Sequence, residues 1–333
     1  MNNKPLKIIV RGTGIVGVWQ AFVLASKGFS VTLTSNTIEP FKEASSWIAG
    51  AMLAPFCETE SAEPVIRRLG LSSIPLWQEA FPHISRNGTL VVAQPRDTSE
   101  LQRFARQTSE HKWLDEARIG ELEPDLAGQF RSALFYRGEA HLQPHWALSY
   151  ILQKACEAGV ETKFGTKELP DDSDYIIDCR GIAARDELPG LRSVRGEMAI
   201  IRTSEISFSR PIRLLHPRFP LYMVPWPDHH FMVGATVIES DDQGPVSVRS
   251  GLELLGSAYG LHSAFGEAEI VKLSANVRPS FPDNIPKIIV RNKTLYVNGL
   301  YRHGFLTSPA LAHLIADYLQ EGKMDEEIFV VEH

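Results

Sequence analysis

The stretch Val10–Ser35, VRGTGIVGVWQAFVLASKGFSVTLTS, decides the reading of the chain. Together with the apolar run KIIV at 7–10, it reads as strand, glycine turn, apolar helix and a second strand, SVTL, at 30–33. Gly12, Gly14 and Gly17 give the spacing G-x-G-x-x-G. The three glycines have separate physical roles. Gly12 permits the tight turn, Gly14 lets the backbone approach a pyrophosphate, and Gly17 lets helix and strand pack closely. The helix start then offers free N–H groups and a positive dipole end to phosphates. An acid expected roughly 20 residues beyond the loop would accept ribose hydroxyls, but Ser35 stands there. A serine still hydrogen-bonds a ribose and does not repel a 2′-phosphate, yet no Arg or Lys follows in SNTIEP to pair one. This segment alone leaves FAD, NAD and NADP open.

The bulk composition narrows the class. The chain has 333 residues, 44% of them hydrophobic, enough for a large core, and carries a formal net charge of -6 with its charges mixed along the sequence. Without a basic stripe, a nucleic-acid partner is not expected. Cys57, Cys156 and Cys179 are far apart, odd in number and outside any C-x-x-C spacing, which argues against a disulfide framework and for a reducing cytoplasm. His141 and His145 are spaced i, i+4, but Pro144 intervenes and no third ligand is evident, so no metal site is expected. The N-terminal MNNKPLKIIVRG leads straight into a strand and no apolar run reaches about 18 residues, so a soluble protein without a membrane span is expected.

Further strand-like runs occur at 89–93, 133–136, 175–178, 197–201, 221–224, 231–238 and 295–299, several joined only by short turns. A βαβ region and an antiparallel region therefore share one chain. Two more helices are expected. Leu148, Ile151, Leu152 and Ala155 form one face of a helix ending near Gly159. In SPALAHLIADYLQEG, Ser308 serves as N-cap and Pro309 as first helical residue, ahead of a stripe of Leu311, Leu314, Ile315, Tyr318 and Leu319.

The segment EASSWIAGAMLAPFCETE at 43–60 resembles the stretch of small residues that runs beneath FAD in the D-amino-acid oxidase (DAO) superfamily, particularly the glycine oxidases of thiamine biosynthesis. The likeness continues through VRGEM (194–198), LYMVP (221–225), VGATVIESD (233–241), VRPSFPDNIPKI (277–288) and LYVNGLYRHGFLTSPALAHLIADYL (295–319), in the family's order. Ser35, where the family usually has Glu, and Val237, near a pocket-lining position, depart from it.

The resemblance implies an α/β fold, α+β overall, in which a Rossmann-like FAD-binding domain (1–85, 132–195 and 278–333) is interleaved with an antiparallel-sheet substrate domain (86–131 and 196–277). It implies that Arg302 is the main bidentate carboxylate clamp, that Tyr222 adds a phenol hydrogen bond, and that Arg278 supports the carboxylate or the flavin edge. By the same likeness FAD is held by Gly12, Gly14, Gly17, Ser35, Ser45, Ser46, Gly50, Ala51, Met52, Gly181, Gly304, Phe305 and Leu306. His303 is a candidate pocket wall and Cys57 a structural residue.

The activity implied is FAD-dependent oxidation of glycine or a similar small amine by oxygen, yielding imine or glyoxylate, ammonia and hydrogen peroxide, for the thiazole branch of thiamine biosynthesis. A thiazole-synthesis enzyme is an implied partner, and homo-oligomerisation is left open. Two other readings stay open: an FAD-dependent sarcosine or D-amino-acid dehydrogenase, and a catalytically weak flavin- or NADP-binding partner protein.

Overall fold

The computed structural model describes residues 4–168, 172–218 and 220–332. The glycine-loop unit forms as read: the strand Lys7–Arg11, the helix Ile15–Ser26 and the strand Ser30–Ser35, with Lys7 opposite Ser30 and Val10 opposite Leu33 in parallel register. These strands belong to a seven-stranded sheet, parallel except for the antiparallel pair Lys287–Arg291 and Thr294–Asn298. Its spatial order is Phe329–Glu332, Lys287–Arg291, Thr294–Asn298, Tyr175–Asp178, Lys7–Arg11, Ser30–Ser35 and Glu161–Phe164. The central strands are buried on both faces, which is why Ile8, Ile9 and Val10 form an unbroken apolar run. The glycine-loop helix packs against the helices Pro144–Glu157 and Gly304–Glu321, and a fourth helix, Pro64–Ala80, covers the last of these. Trp19 meets Trp77 edge-on at 4.9 Å, and Trp77 stacks on Phe305 at 6.1 Å.

The antiparallel region is a nine-stranded sheet, antiparallel except where Thr89–Ala93 and Ile212–Leu215 pair in parallel. Residues alternate across it with period two. Along Leu221–Trp226, Leu221 and Met223 join a core with Phe208, Phe231 and Phe265 beneath the helix Val248–Leu261. Tyr222 and Val224 point the other way, beside Met198 and Met232, toward the parallel sheet.

Three expectations change. The strand Ser132–Tyr136, assigned by the boundary at 132 to the FAD-binding side, pairs with Thr89–Ala93 and Lys112–Asp115 in the nine-stranded sheet. Its cross-strand partners set its place, and a period-two pattern does not name them. The run 231–238 breaks after Gly234, where the strand His230–Gly234 ends. The last helix begins at Gly304, one turn before the expected Ser308 cap. Pro309 is tolerated inside it because the carbonyl it leaves unmatched, that of Phe305, accepts a hydrogen bond from Trp77 Nε1 at 2.8 Å. Ser308 donates its hydroxyl back to Gly304 O at 2.6 Å instead of capping. Among the described residues, no helix is long and apolar enough to cross a membrane.

Candidate active site

The site begins at the glycine turn. Gly12 has φ of 103°, and a Cβ there would lie 2.6 Å from the Cys179 carbonyl oxygen. A Cβ on Gly17 would collide with the Gly12 carbonyl, so Gly17 holds helix to turn without itself reaching the cavity. Gly14 differs. Its Cβ would meet only Ser46 Oγ at 3.5 Å and Ala44 Cβ at 3.7 Å, ordinary contacts, so the protein alone does not demand glycine there; a side chain would extend toward the cavity this turn borders. Ser46 Oγ accepts from Ile15 N at 3.1 Å, and Ser45 donates to Val277 O at 2.8 Å, tying the small-residue segment to the glycine-loop helix and to the antiparallel sheet.

A cavity of about 660 Å³ runs from this turn in both directions. Near the strand end Ser35 bonds Thr37 Oγ1 at 3.0 Å and accepts from Thr37 N at 3.3 Å. Arg11 and Lys167 also line the cavity, and Arg11 pairs with Asp178 at 3.2 Å. Toward the centre, a Cβ on Gly50 would strike Met232, so this glycine lets the antiparallel sheet close over the segment 50–52. Gly304, Phe305 and Leu306 bring the N-terminus of the last helix to the same wall, with first-turn N–H groups that have no partner within the helix.

The other end gathers charge. Tyr222 is buried, with Arg213 over its ring at 4.9 Å and Arg302 at 5.7 Å. Its phenol donates to Glu58 Oε1 at 2.8 Å. Arg302 Nη2 lies 3.5 Å from the Tyr222 hydroxyl and 3.9 Å from Glu58 Oε1. Burial works against the Arg302 charge, but Glu58 and the adjacent tyrosines more than offset it and hold the guanidinium above its ordinary value. Burial likewise opposes the Glu58 charge, yet Arg302, His303 and Arg213 bring its carboxyl down to about 2. His303 is pushed down to about 4 by burial, so its ring is neutral near pH 7.

Arg278 donates to Thr236 O at 3.2 Å, and burial and Arg302 lower it to about 10, still charged near neutrality. Arg213 is matched by Glu60, so Arg278 and Arg302 face the single charge of Glu58 and this end of the cavity carries one excess positive charge.

Residues 7–318 match the family described as FAD dependent oxidoreductase, DAO. The chain belongs to that family. It is 51% identical over 313 residues to the ThiO protein of Rhizobium etli, named as a putative thiamine biosynthesis oxidoreductase, covering 93% of this chain and 95% of that one. It is 26% identical over 354 residues to the bifunctional protein ThiO/ThiG of Trichormus variabilis, covering 96% of this chain and 53% of that longer protein. The crystal structure of glycine oxidase from Geobacillus kaustophilus superposes with a TM-score of 0.79 at 20% identity, over 96% of each chain.

As a DAO-family member the chain is an FAD-dependent oxidoreductase. Its residues fit the cofactor: a turn with glycine at 12 and 14, a helix N-terminus beside it, a long cavity and a second helix N-terminus further along. Every residue singled out in the sequence for substrate or cofactor lines this one cavity except Gly17, which lies behind the turn. Val237 is half exposed, between the strands His230–Gly234 and Ile238–Glu239, and does not line the cavity.

Sequence reading missed two residues. Glu58 was legible as an acid ending a run of small and apolar residues. Gly196 was legible as a glycine inside a strand pattern; a Cβ there would collide with the Arg278 guanidinium, so the gap at 196 is the seat of that arginine.

Proposed function

We propose that this flavoenzyme oxidises glycine or a similarly small amine to the imine, which hydrolyses to glyoxylate and ammonia, with oxygen reduced to hydrogen peroxide. The observation that carries this reading is the excess positive charge of Arg278 and Arg302 over Glu58, at the end of the cavity away from Ser35. Arg302 takes the substrate carboxylate with its planar fork, and Arg278 adds a second positive charge. Tyr222 holds Arg302 and Glu58 in register, accepting from the one and donating its phenol proton to the other. FAD, when bound, supplies the two-electron acceptor. Gly12, Gly14, Ser45, Ser46, Gly50, Ala51 and Met52 would hold it along one wall, with Ser35 and Gly181 toward the adenosine half. The start of the helix at Gly304–Leu306 favours negative charge beside it. Binding and orientation are the protein's main contribution, so no acid–base triad is required.

The parallel sheet is assigned to FAD and the nine-stranded sheet to substrate. Identity to a ThiO protein supports a place in thiamine biosynthesis, in its thiazole branch. The joining of ThiO and ThiG in one relative supports a partner enzyme of that pathway as the recipient of the product.

The test is anaerobic addition of glycine to the purified holoprotein. The visible flavin bands should bleach and return with air, releasing peroxide. Bands unchanged by glycine and by a panel of small amines would overturn the reading.

A further inference from the structure

A carboxylate clamp has no need of a carboxylate in its own wall, yet Glu58 is there. Its side chain is only 12% exposed, with Oε1 on the Tyr222 hydroxyl and Oε2 3.6 Å from His303 Nδ1. The 3.9 Å between Glu58 and Arg302 exceeds hydrogen-bond length, so the two charges are neighbours rather than a closed pair. Nearby acids are committed elsewhere. Glu60 bonds Arg213 and Arg103, and Glu139 accepts from the backbone N–H groups of Phe56 and Cys57 at 3.0 and 2.7 Å. Those two bonds fix the turn that aims Glu58 at the cavity. Among the described residues the cavity wall carries one other acid, Glu43, and that residue is exposed.

An anion and a cation held side by side a few ångströms apart complement one kind of small molecule. In an α-amino acid the nitrogen lies about 2.5 Å from the carboxyl carbon, given the standard N–Cα and Cα–C lengths. A zwitterion can therefore set its carboxylate on the arginines and its ammonium on Glu58 at once. A carboxylate without an amine meets the same arginines but faces Glu58 with nothing to offer it.

We propose that Glu58 receives the α-ammonium, so that the site takes its substrate as a zwitterion in preference to amine-free carboxylates. The inference rests on the small-amino-acid reading above and gives it a specificity determinant.

The experiment compares glycine and acetate binding to the wild-type holoenzyme and to Glu58→Gln and Glu58→Asp. Binding is read from perturbation of the flavin spectrum, or from the concentration dependence of bleaching where glycine bleaches it. In Glu58→Gln, which keeps an oxygen for the Tyr222 hydroxyl, glycine should bind about tenfold more weakly, the size expected for losing a charged hydrogen bond. Acetate should bind as well as before or better. Glu58→Asp keeps the charge and should retain most of the preference. Equal weakening of both ligands, or an unchanged glycine-to-acetate ratio in Glu58→Gln, would overturn the proposal. Glycine that binds without bleaching the flavin counts against the oxidase reading alone, because the ratio is a binding measurement.

Discussion

A single methyl group at position 196 would land inside the Arg278 guanidinium. Val194 lies opposite Arg278 across the strand pair, and the missing side chain at Gly196 leaves the shelf on which the arginine rests. Gly196→Ala should displace Arg278, lowering kcat/KM for the amine about tenfold or more while flavin content stays normal; unchanged steady-state kinetics would remove Arg278 from the site. Arg302 lines the same cavity. Arg302→Ala should raise KM and lower kcat/KM about hundredfold with flavin still bound, since charged hydrogen bonds to one carboxylate are lost. Near-normal kinetics in that variant would sink its role as clamp. Both arginines were named from the sequence by family resemblance, and both line the cavity. Glu58 and Gly196 left a trace in the sequence but no role, because an acid acquires meaning only beside a cation, and a glycine only beneath a side chain that needs its space.

Among the elements, the turn that carries Glu58 depends on a carboxyl group from a distant segment. Glu139 is buried and accepts two backbone N–H bonds from Phe56 and Cys57. Burial raises its carboxyl from 4.5 to about 7. The folded state then keeps a proton that the unfolded chain has released. This contribution to stability is complete below pH about 4.5 and is lost as pH rises through about 7. His141 and His303, both lowered to about 4 by burial, act with the opposite sign over an overlapping range, because the unfolded chain binds their protons more readily. The measurement is therefore a difference. The melting temperature of wild type minus that of Glu139→Gln should fall from pH 4.5 to 7 and level off above, and a difference independent of pH would show that Glu139 is ionised throughout. The last helix shows the same dependence on a distant partner. Ser308-Pro309 is a good start signal by local rules, but Trp77 from another helix satisfies the Phe305 carbonyl and lets the helix begin a turn earlier, at the cavity wall.

At the scale of the molecule, the cavity is walled by both sheets: the parallel sheet supplies Thr34 and Asn298, and the antiparallel sheet supplies Met198, Tyr222 and Met232. A ligand that fills it joins the two and binds only the folded chain. FAD at a hundred times its Kd should add about 2.7 kcal/mol to stability. Stripped protein should therefore melt at a lower temperature, and the midpoint should climb with added FAD; a midpoint indifferent to FAD would exclude this cavity as its seat. Sequence alone determined the glycine turn with its flanking strands, while the two arginines and the tyrosine were named by resemblance to the family. These signals are local, written in periodicity, in glycine spacing and in short runs. Only the tertiary structure decided that Ser132–Tyr136 joins the antiparallel sheet, that Pro309 lies inside a helix, and that Glu58 stands 3.9 Å from Arg302, 244 residues further along the chain. Pairing partners, a borrowed hydrogen bond and the meeting of opposite charges are set by distance in space, which residue order does not encode.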